Sequence, residues 1–348
     1  MNLFYSLKIL AYRFFNSKIG KSILEMFSSF ISVTNLRTES GKKSKKPFIV
    51  CITIDTESGY IKKNDHRVWQ KDDPESYVGY YKGIENWRNI LNKHKAKSTF
   101  FLSTNCFSAK GKELQSILVQ LKLLINEKHE IGLHLHPDSD IALQNSLGKK
   151  FNATSAKFYD EKEINLFLKA GKKLLKEKVG INPLSFRWGN WALSTDAVKA
   201  LQQNGFVIDS SATPGIKGHQ NDKMSYDWSR VSLHYPWKLS TSDYQDTKRQ
   251  DSKILEIPIA TFNFFGMALR ADPANSVLLN ACFDYYYKHA DRSKKPFIFV
   301  IISHSMEATH KDGSKAKAAD AMGEFLSYAS KFEDTKFMAL KDAYEEYR

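Results

Sequence analysis

From residue 48 onward the chain alternates short apolar runs with stretches of helical spacing. The runs FIVCITI (48 to 54), STFFLS (98 to 103), EIGLHL (130 to 135), FVIDSS (206 to 211), ILEIPI (254 to 259) and PFIFVIIS (296 to 303) are rich in β-branched and aromatic residues. Each reads as a short strand covered on both faces. Residues 82 to 94, 112 to 127, 161 to 178 and 194 to 204 instead carry apolar positions three and four apart, the period of a helix packed along one side. The last opens at Ser194 or Thr195 as an N-cap and closes at Gly205. Strands alternating with helices imply a mostly parallel sheet, and the number of units favours a closed or nearly closed β/α barrel over an open sheet.

Composition adds one asymmetry. The 348 residues are 42% hydrophobic and 13% aromatic, ample for a sizeable core, and carry a formal net charge of +14. Residues 1 to 47 hold nine basic side chains against Glu25 and Glu39, so half of the excess sits in that leader. Within it, Lys8, Arg13, Lys18 and Lys21 interrupt the apolar residues before any uncharged span reaches the length of a membrane crossing. The same charges fall inside what would be the apolar core of a secretory signal, which argues against export. Two readings stand for residues 1 to 46: a basic, aromatic-rich segment lying on an anionic membrane surface, helped by KKSKK at 42 to 46, or a leader packed on the main domain. Cys51, Cys106 and Cys282 form no CxxC and are odd in number, which fits a reducing compartment and a cytoplasmic location. No nucleic-acid-binding motif accompanies the basic charge, so no nucleic-acid partner is expected.

In a β/α barrel the side chains that do chemistry stand at the carboxyl ends of the strands. Here those ends run into TIDTESG, LHLHPD, FRWGNW, IDSSATP and ISHSME, delivering acids, histidines and an arginine to one rim. Alternate residues of an extended segment point the same way, so His134 and His136 share a face, as do Asp55 and Glu57. Two imidazoles and a carboxylate with room for water make the ligand set of a catalytic Zn²⁺ or similar divalent ion. Taken alone, either histidine reads more readily as a hydrogen-bonded, half-buried residue; the accompanying DxE is what raises the metal reading. His129 lies out of phase with the pair and precedes the strand, and reads as a surface residue.

TIDTE, HEIGLHLHP, FRWGNW, FVIDSSATP and FVIISHSME resemble the five ordered motifs of the polysaccharide deacetylase family, carbohydrate esterase family 4 or the NodB-homology group, over roughly residues 47 to 304. The DTE and GLHLHP forms are similar to a branch associated with lipopolysaccharide and surface-polysaccharide biosynthesis. The resemblance implies an α/β fold, a deacetylase-type (β/α)7 distorted or incomplete barrel over residues 47 to 348. It implies a metal-dependent hydrolase that removes an acetyl group from an amino sugar, acting on a lipid-linked glycan or other acetylated sugar. Asp55 is then the general base and His304 the general acid, with Glu57, His134 and His136 holding the metal. Arg187 would orient Asp55 and Asp209 would support His304. Trp188 or Trp191 would shape the sugar site, or simply pack in the core.

The pattern departs from the family in three places. Thr56 stands where the family has a second, metal-binding aspartate; the two histidines are spaced by two rather than four; and WGNW follows Arg187 where a proline and an aromatic residue are usual. Two other functions stay open: a glycan-binding protein of the same fold without activity, and a glycoside hydrolase. Against the second, Asp55 and Glu57 share one strand face and stand too close to straddle a glycosidic bond. The segment from 212 to 253, with HYPWKLSTSDY, is expected to lie over the rim and set the choice of substrate.

Overall fold

The computed structural model describes residues 30–34, 36, 46–62, 76–218 and 221–348. Most of the basic leader, including the KKSK lysines at 42, 43 and 45, lies outside these residues. A short strand β1 (Ile31–Ser32) precedes the principal sheet, which is built from β2 (Phe48–Thr56), β3 (Ser98–Ser103), β4 (Glu130–Leu135), β5 (Ser185–Trp188) and β6 (Ile208–Asp209). It continues through the edge strand β7 (Trp237–Lys238) and β8 (Leu255–Glu256). A hairpin of β9 (Thr261–Phe264) and β10 (Met267–Arg270) follows, then β11 (Phe297–His304) and β12 (Thr335–Phe337). The spatial order is β11-β2-β3-β4-β5-β6-β8-β7, with β12 also pairing β2. Pairing is parallel from β11 to β8, and the edge strand β7 runs antiparallel. A parallel bridge from Ile259 to Val300 then returns the chain after β8 to β11. The sheet thereby curls into a distorted (β/α)7 barrel.

Side-chain alternation divides the apolar residues into two layers. Phe48, Val50, Ile52 and Ile54 of β2 face outward, toward the helices. Ile49 and Cys51 face the axis, where they meet Phe101, Ile208, Ile257, Ile298, Val300 and Ile302. All nine residues of β2 are buried, as a strand covered on both faces must be. The outer layer is closed by α1 (Ile84–Lys93), α2 (Gly111–Asn126), α3 (Ile141–Leu147), α4 (Glu161–Val179), α5 (Thr195–Gln203), α6 (Ser276–His289) and α7 (Lys317–Ala329). Ser194 caps α5 by accepting from the Ala197 amide, and Gly205 follows with a φ of 72°. At the amino end of the barrel α8 (Leu340–Tyr347) acts as a plug: Leu340 and Ala343 join the inner layer. Its first amides donate to Thr99 Oγ1 (2.8 Å) and Glu130 Oε2 (2.9 Å). The carboxyl ends of the strands are left as the polar mouth.

Two expectations from the sequence are corrected. His129 is not a surface residue: its ring is buried against Phe100, with Nδ1 at 3.1 Å from Ser98 Oγ, because it ends the turn that feeds β4 under the sheet. Within the 212 to 253 segment, HYPWKL does not lie over the rim. Trp237 is buried in β7, which forms the edge of the sheet beside β8. The described part of the leader packs on the barrel: Ile31 pairs with Phe264, and Ile31 and Val33 are buried in the outer layer.

His129 and His234 make the fold acid-sensitive. Burial pushes His129 down to about 4, with Lys97 adding to the effect. Burial also takes His234 down to about 4, against the opposing bond from its Nε2 to the Thr34 carbonyl. Each folded value lies below the ordinary 6.5, so on acidification the unfolded chain takes up these protons first. Stability is therefore complete above about 6.5 and lost as pH falls toward 4, at about 1.4 kcal/mol per pH unit for each group within that window. Urea midpoints at pH 7 and pH 4.5 test this, and replacing both histidines by glutamine is expected to remove most of the difference.

Candidate active site

Strand phase decides which side chains reach the mouth. Continuing the axial series of β2 past Ile49 and Cys51 brings Asp55 and then Glu57 inward, and continuing that of β11 past Val300 and Ile302 brings His304 inward. Thr56 falls out of phase: it is buried, and its hydroxyl donates to the Ile54 carbonyl at 3.2 Å. Glu57 is tied in place by Ser305, whose hydroxyl accepts from the Glu57 amide (3.0 Å) and donates to its carbonyl (3.1 Å). One side chain thus joins the ends of β2 and β11.

Glu57, His134 and His136 converge on one point. Glu57 Oε1 is 2.9 Å from His134 Nε2 and 2.8 Å from His136 Nε2, and the two nitrogens are 3.1 Å apart. A tetrahedral ion with bonds of 2.0–2.1 Å has ligand atoms about 3.3 Å apart, so this triangle is close to one face of such a site. The tautomer also fits. His134 Nδ1 donates to the Arg187 carbonyl at 2.9 Å, which leaves the Nε2 lone pair facing the other two donors. Burial opposes the charge on His136, but the Glu57 carboxylate outweighs it and holds that imidazole above its ordinary value. Burial likewise opposes the charge on Glu57, yet His136 and the bonds from both rings hold its carboxyl well below the usual range. Among the described residues these three form a set of donors suited to a divalent ion.

On one side stands Asp55. Its Oδ1 accepts from Arg187 Nη1 at 2.8 Å, and its Oδ2 lies 4.0 Å from His134 Nε2. Arg187 is fully buried, donating also to the Ser210 carbonyl (2.7 Å) and hydroxyl (2.9 Å), with its guanidinium 4.4 Å from the Phe101 ring centre. On the other side stands His304. Burial opposes its charge, but the Glu307 carboxylate, 3.6 Å from Nδ1, outweighs that with help from Glu57 and Asp55 and pushes it up to about 9. His304 is therefore protonated at neutral pH.

The structure assigns Asp209 and Trp188 differently from the sequence reading. Ile208 faces the axis, so Asp209 faces outward, away from His304. Its carboxylate accepts from the Ser211 hydroxyl (2.9 Å) and amide (3.2 Å). Burial pushes the Glu256 carboxyl well up, and the neighbouring Asp209 adds to the effect. The carboxylate that supports His304 is Glu307, three residues further along in HSME, a spacing visible in the sequence but not used. Trp188 is also out of phase: it is wholly buried in the outer layer, and its Nε1 donates to the Thr154 carbonyl at 2.7 Å. The tryptophan at the mouth is Trp191, whose ring centre lies 6.4 Å from that of His304.

No family model matches the chain, and no curated protein matches it in sequence. Solved structures do match in fold. A protein from Mycobacterium smegmatis described as a polysaccharide deacetylase superposes with a TM-score of 0.55 at 18% identity, over 90% of this chain and 95% of that one. One from Pseudomonas aeruginosa PAO1, described likewise, gives 0.53 at 13% identity over 86% and 90%. A third, from Parabacteroides distasonis and described as a glycoside hydrolase or deacetylase, gives 0.56 at 12% over 88% and 74%. The barrel is therefore of the kind found in polysaccharide deacetylases, and at these identities the likeness is one of fold.

The purified protein is expected to take up one divalent transition-metal ion per chain, and His134→Ala to lose it, as read by elemental analysis. Gly189 sharpens the test. A Cβ there would stand 2.6 Å from the Leu135 carbonyl oxygen and 2.7 Å from two atoms of the His136 ring. Gly189→Ala should push that ring out of line and weaken metal affinity by roughly 10- to 100-fold. Competition with a chelator measures the loss.

Proposed function

We propose that this protein is a metal-dependent carbohydrate deacetylase, a hydrolase of the acetamide C–N bond of an amino sugar. The observation that carries the reading is the Glu57, His134 and His136 donor triangle, flanked by the carboxylate Asp55 and the imidazolium His304. A bound divalent ion, most simply Zn²⁺, would supply polarisation of the acetyl carbonyl and acidification of a water. Asp55, whose Oδ1 is held by Arg187, takes the water proton on Oδ2 as the oxygen adds to the carbonyl carbon. His304 gives its proton to the leaving nitrogen as the C–N bond breaks, so the products are the free amino sugar and acetate. No side chain forms a covalent intermediate. The fold shared with deacetylase structures supports this reaction class.

Asp55→Asn is expected to keep the metal and the fold but lose acetate release by at least about a hundredfold, since the amide cannot accept the proton. The general acid sets the alkaline limb. Because His304 is held up to about 9, kcat/KM should fall as pH rises through about 9. Glu307→Gln removes the main support of that charge and should move the limb to lower pH. A pH profile of both forms checks this, and an unmoved limb would take Glu307 out of the role.

The substrate reading is an acetylated amino sugar of a surface polysaccharide or lipopolysaccharide precursor, carried on lipid at the inner face of the membrane. No helix among the described residues is long and apolar enough to cross a bilayer. What supports surface attachment is the end of the leader. Phe30 is 47% exposed and stacks on Phe265, 54% exposed at the tip of the β9–β10 hairpin, with ring centres 4.7 Å apart. The sequence before Phe30 adds apolar Leu3, Phe4, Leu7, Leu10, Phe14 and Phe15, while the lysines from 42 to 46 each contribute up to about 1 kcal/mol near anionic lipid. Liposome sedimentation should show the full chain pelleting with anionic vesicles and weakening, without vanishing, as salt rises. Phe265→Ser should weaken it further. A full chain that stays in the supernatant at low salt would remove the membrane from the proposal.

A further inference from the structure

Of the seven arginines among the described residues, six lie within 4.0 Å of a carboxylate: Arg88, Arg187, Arg230, Arg249, Arg292 and Arg348. Arg270 is the exception. Its half-buried guanidinium lies over the Trp191 indole, with Cζ 3.8 Å from the ring centre, and Nη1 donates to the Tyr226 hydroxyl at 2.8 Å. A planar cation stacked in this way has its in-plane donors directed outward from the rings, in the fork that suits a carboxylate or a phosphate.

Its position is fixed with respect to the chemistry. Arg270 ends β10, and the next residue, Ala271, accepts from the Ile302 amide at 3.0 Å, two residues before His304. Both groups neighbour the Trp191 ring, the guanidinium 3.8 Å and the His304 ring centre 6.4 Å from its centre. The backbone there is strained: Asn190 and Trp191 have φ of 50° and 57°, a conformation that a bulky aromatic residue rarely takes. Two contacts hold it, the Trp228 Nε1 bond to the Trp191 carbonyl at 2.8 Å and the packing of Tyr226 against the indole. The Trp191 Nε1 is itself buried without a hydrogen-bond partner among the described residues, a second donor not yet used.

We propose that Arg270, stacked on Trp191 and held by Tyr226, forms an anion subsite beside His304 that binds a carboxylate or phosphate carried by the substrate. Resting on the deacetylase reading, this narrows the substrate class to acylated amino sugars that bear an anionic group next to the reacting unit. The two sources of that charge are a uronate within a polysaccharide and a phosphate on an activated or carrier-linked sugar. Arg270 then sets specificity and takes no part in the proton transfers.

The test compares three ligands on the metal-loaded full chain: the methyl glycoside of N-acetylglucosamine, the methyl glycoside of N-acetylglucosaminuronic acid, and N-acetylglucosamine 1-phosphate. Acetate release gives kcat/KM, and calorimetry on the metal-loaded Asp55→Asn protein gives affinity without turnover. Wild-type sequence at position 270 should favour one of the charged ligands over the neutral one by about 10- to 100-fold, the scale of a charge-assisted pair. Which ligand is favoured identifies the source. Arg270→Gln should collapse the preference at least tenfold, mainly through KM, and Arg270→Lys should keep part of it. Absence of a preference, or a preference that Arg270→Gln leaves intact, overturns the subsite. An Arg270-dependent preference in binding with no acetate released from any ligand would instead sink the deacetylase reading and leave the subsite standing.

Discussion

The site depends on how one buried charge is satisfied. Arg187 points into a barrel whose inner layer is mostly isoleucine with other apolar side chains, where an unpaired guanidinium would cost several kcal/mol. The structure meets it with Asp55, with the carbonyl and hydroxyl of Ser210, and with the face of Phe101. Those contacts leave little freedom. Asp55 must offer Oδ1 to the guanidinium, so Oδ2 is the oxygen left toward His134. The backbone of the same residue does a second job, since the Arg187 carbonyl accepts from His134 Nδ1 and turns that ring's other nitrogen toward Glu57 and His136. Side chain and main chain of Arg187 thus orient one carboxylate and one imidazole at once.

A second consequence follows from the charges that collect around that point. Glu57 is held ionised by two imidazoles, and His304 is held protonated by Glu307, Glu57 and Asp55. The mouth therefore keeps carboxylates on the β2 side and a cation on the β11 side, although β2 and β11 are paired in register with His304 opposite Asp55. A carboxylate and an imidazolium on neighbouring strands stay distinct because each has its own partner: Arg187 for Asp55 and Glu307 for His304.

How much of this was legible in the sequence can be traced to strand phase. The runs at 48 to 54, 98 to 103 and 130 to 135 are strands in the structure, and alternation within them placed Asp55, Glu57, His134 and His136 on the side where they are found. The same rule, applied one residue further, separates Trp188 from Arg187 and Asp209 from Ile208, and would have removed both from the mouth. FVIDSS and ILEIPI form only two-residue strands, because parallel pairing there is brief and the chain bends to close the barrel. α3, α6, α7 and α8 were not anticipated. α6 is nearly uniform in hydrophobicity around its circumference, so periodicity marks it weakly, and α3 is barely two turns long. Arg270 had no local signature at all: what distinguishes it is that no carboxylate among the described residues pairs with it, and that it meets a tryptophan some eighty residues earlier in the chain.

The strand Ile31–Ser32 is short, yet it is stitched to the hairpin that carries Arg270. Ile31 and Ser32 pair with Phe264 and Asn263, and β9 pairs with β10 from Phe264–Met267 down to Thr261–Arg270. His234 reinforces the seam by bonding the Thr34 carbonyl. The start of the described chain and the arginine at the mouth therefore belong to one small three-stranded sheet, and a pull on the first is transmitted to the second through backbone hydrogen bonds rather than through a loose tether. The angle between this end of the described chain and the opening of the barrel is therefore set by the sheet, so a force applied at the one would also turn the other.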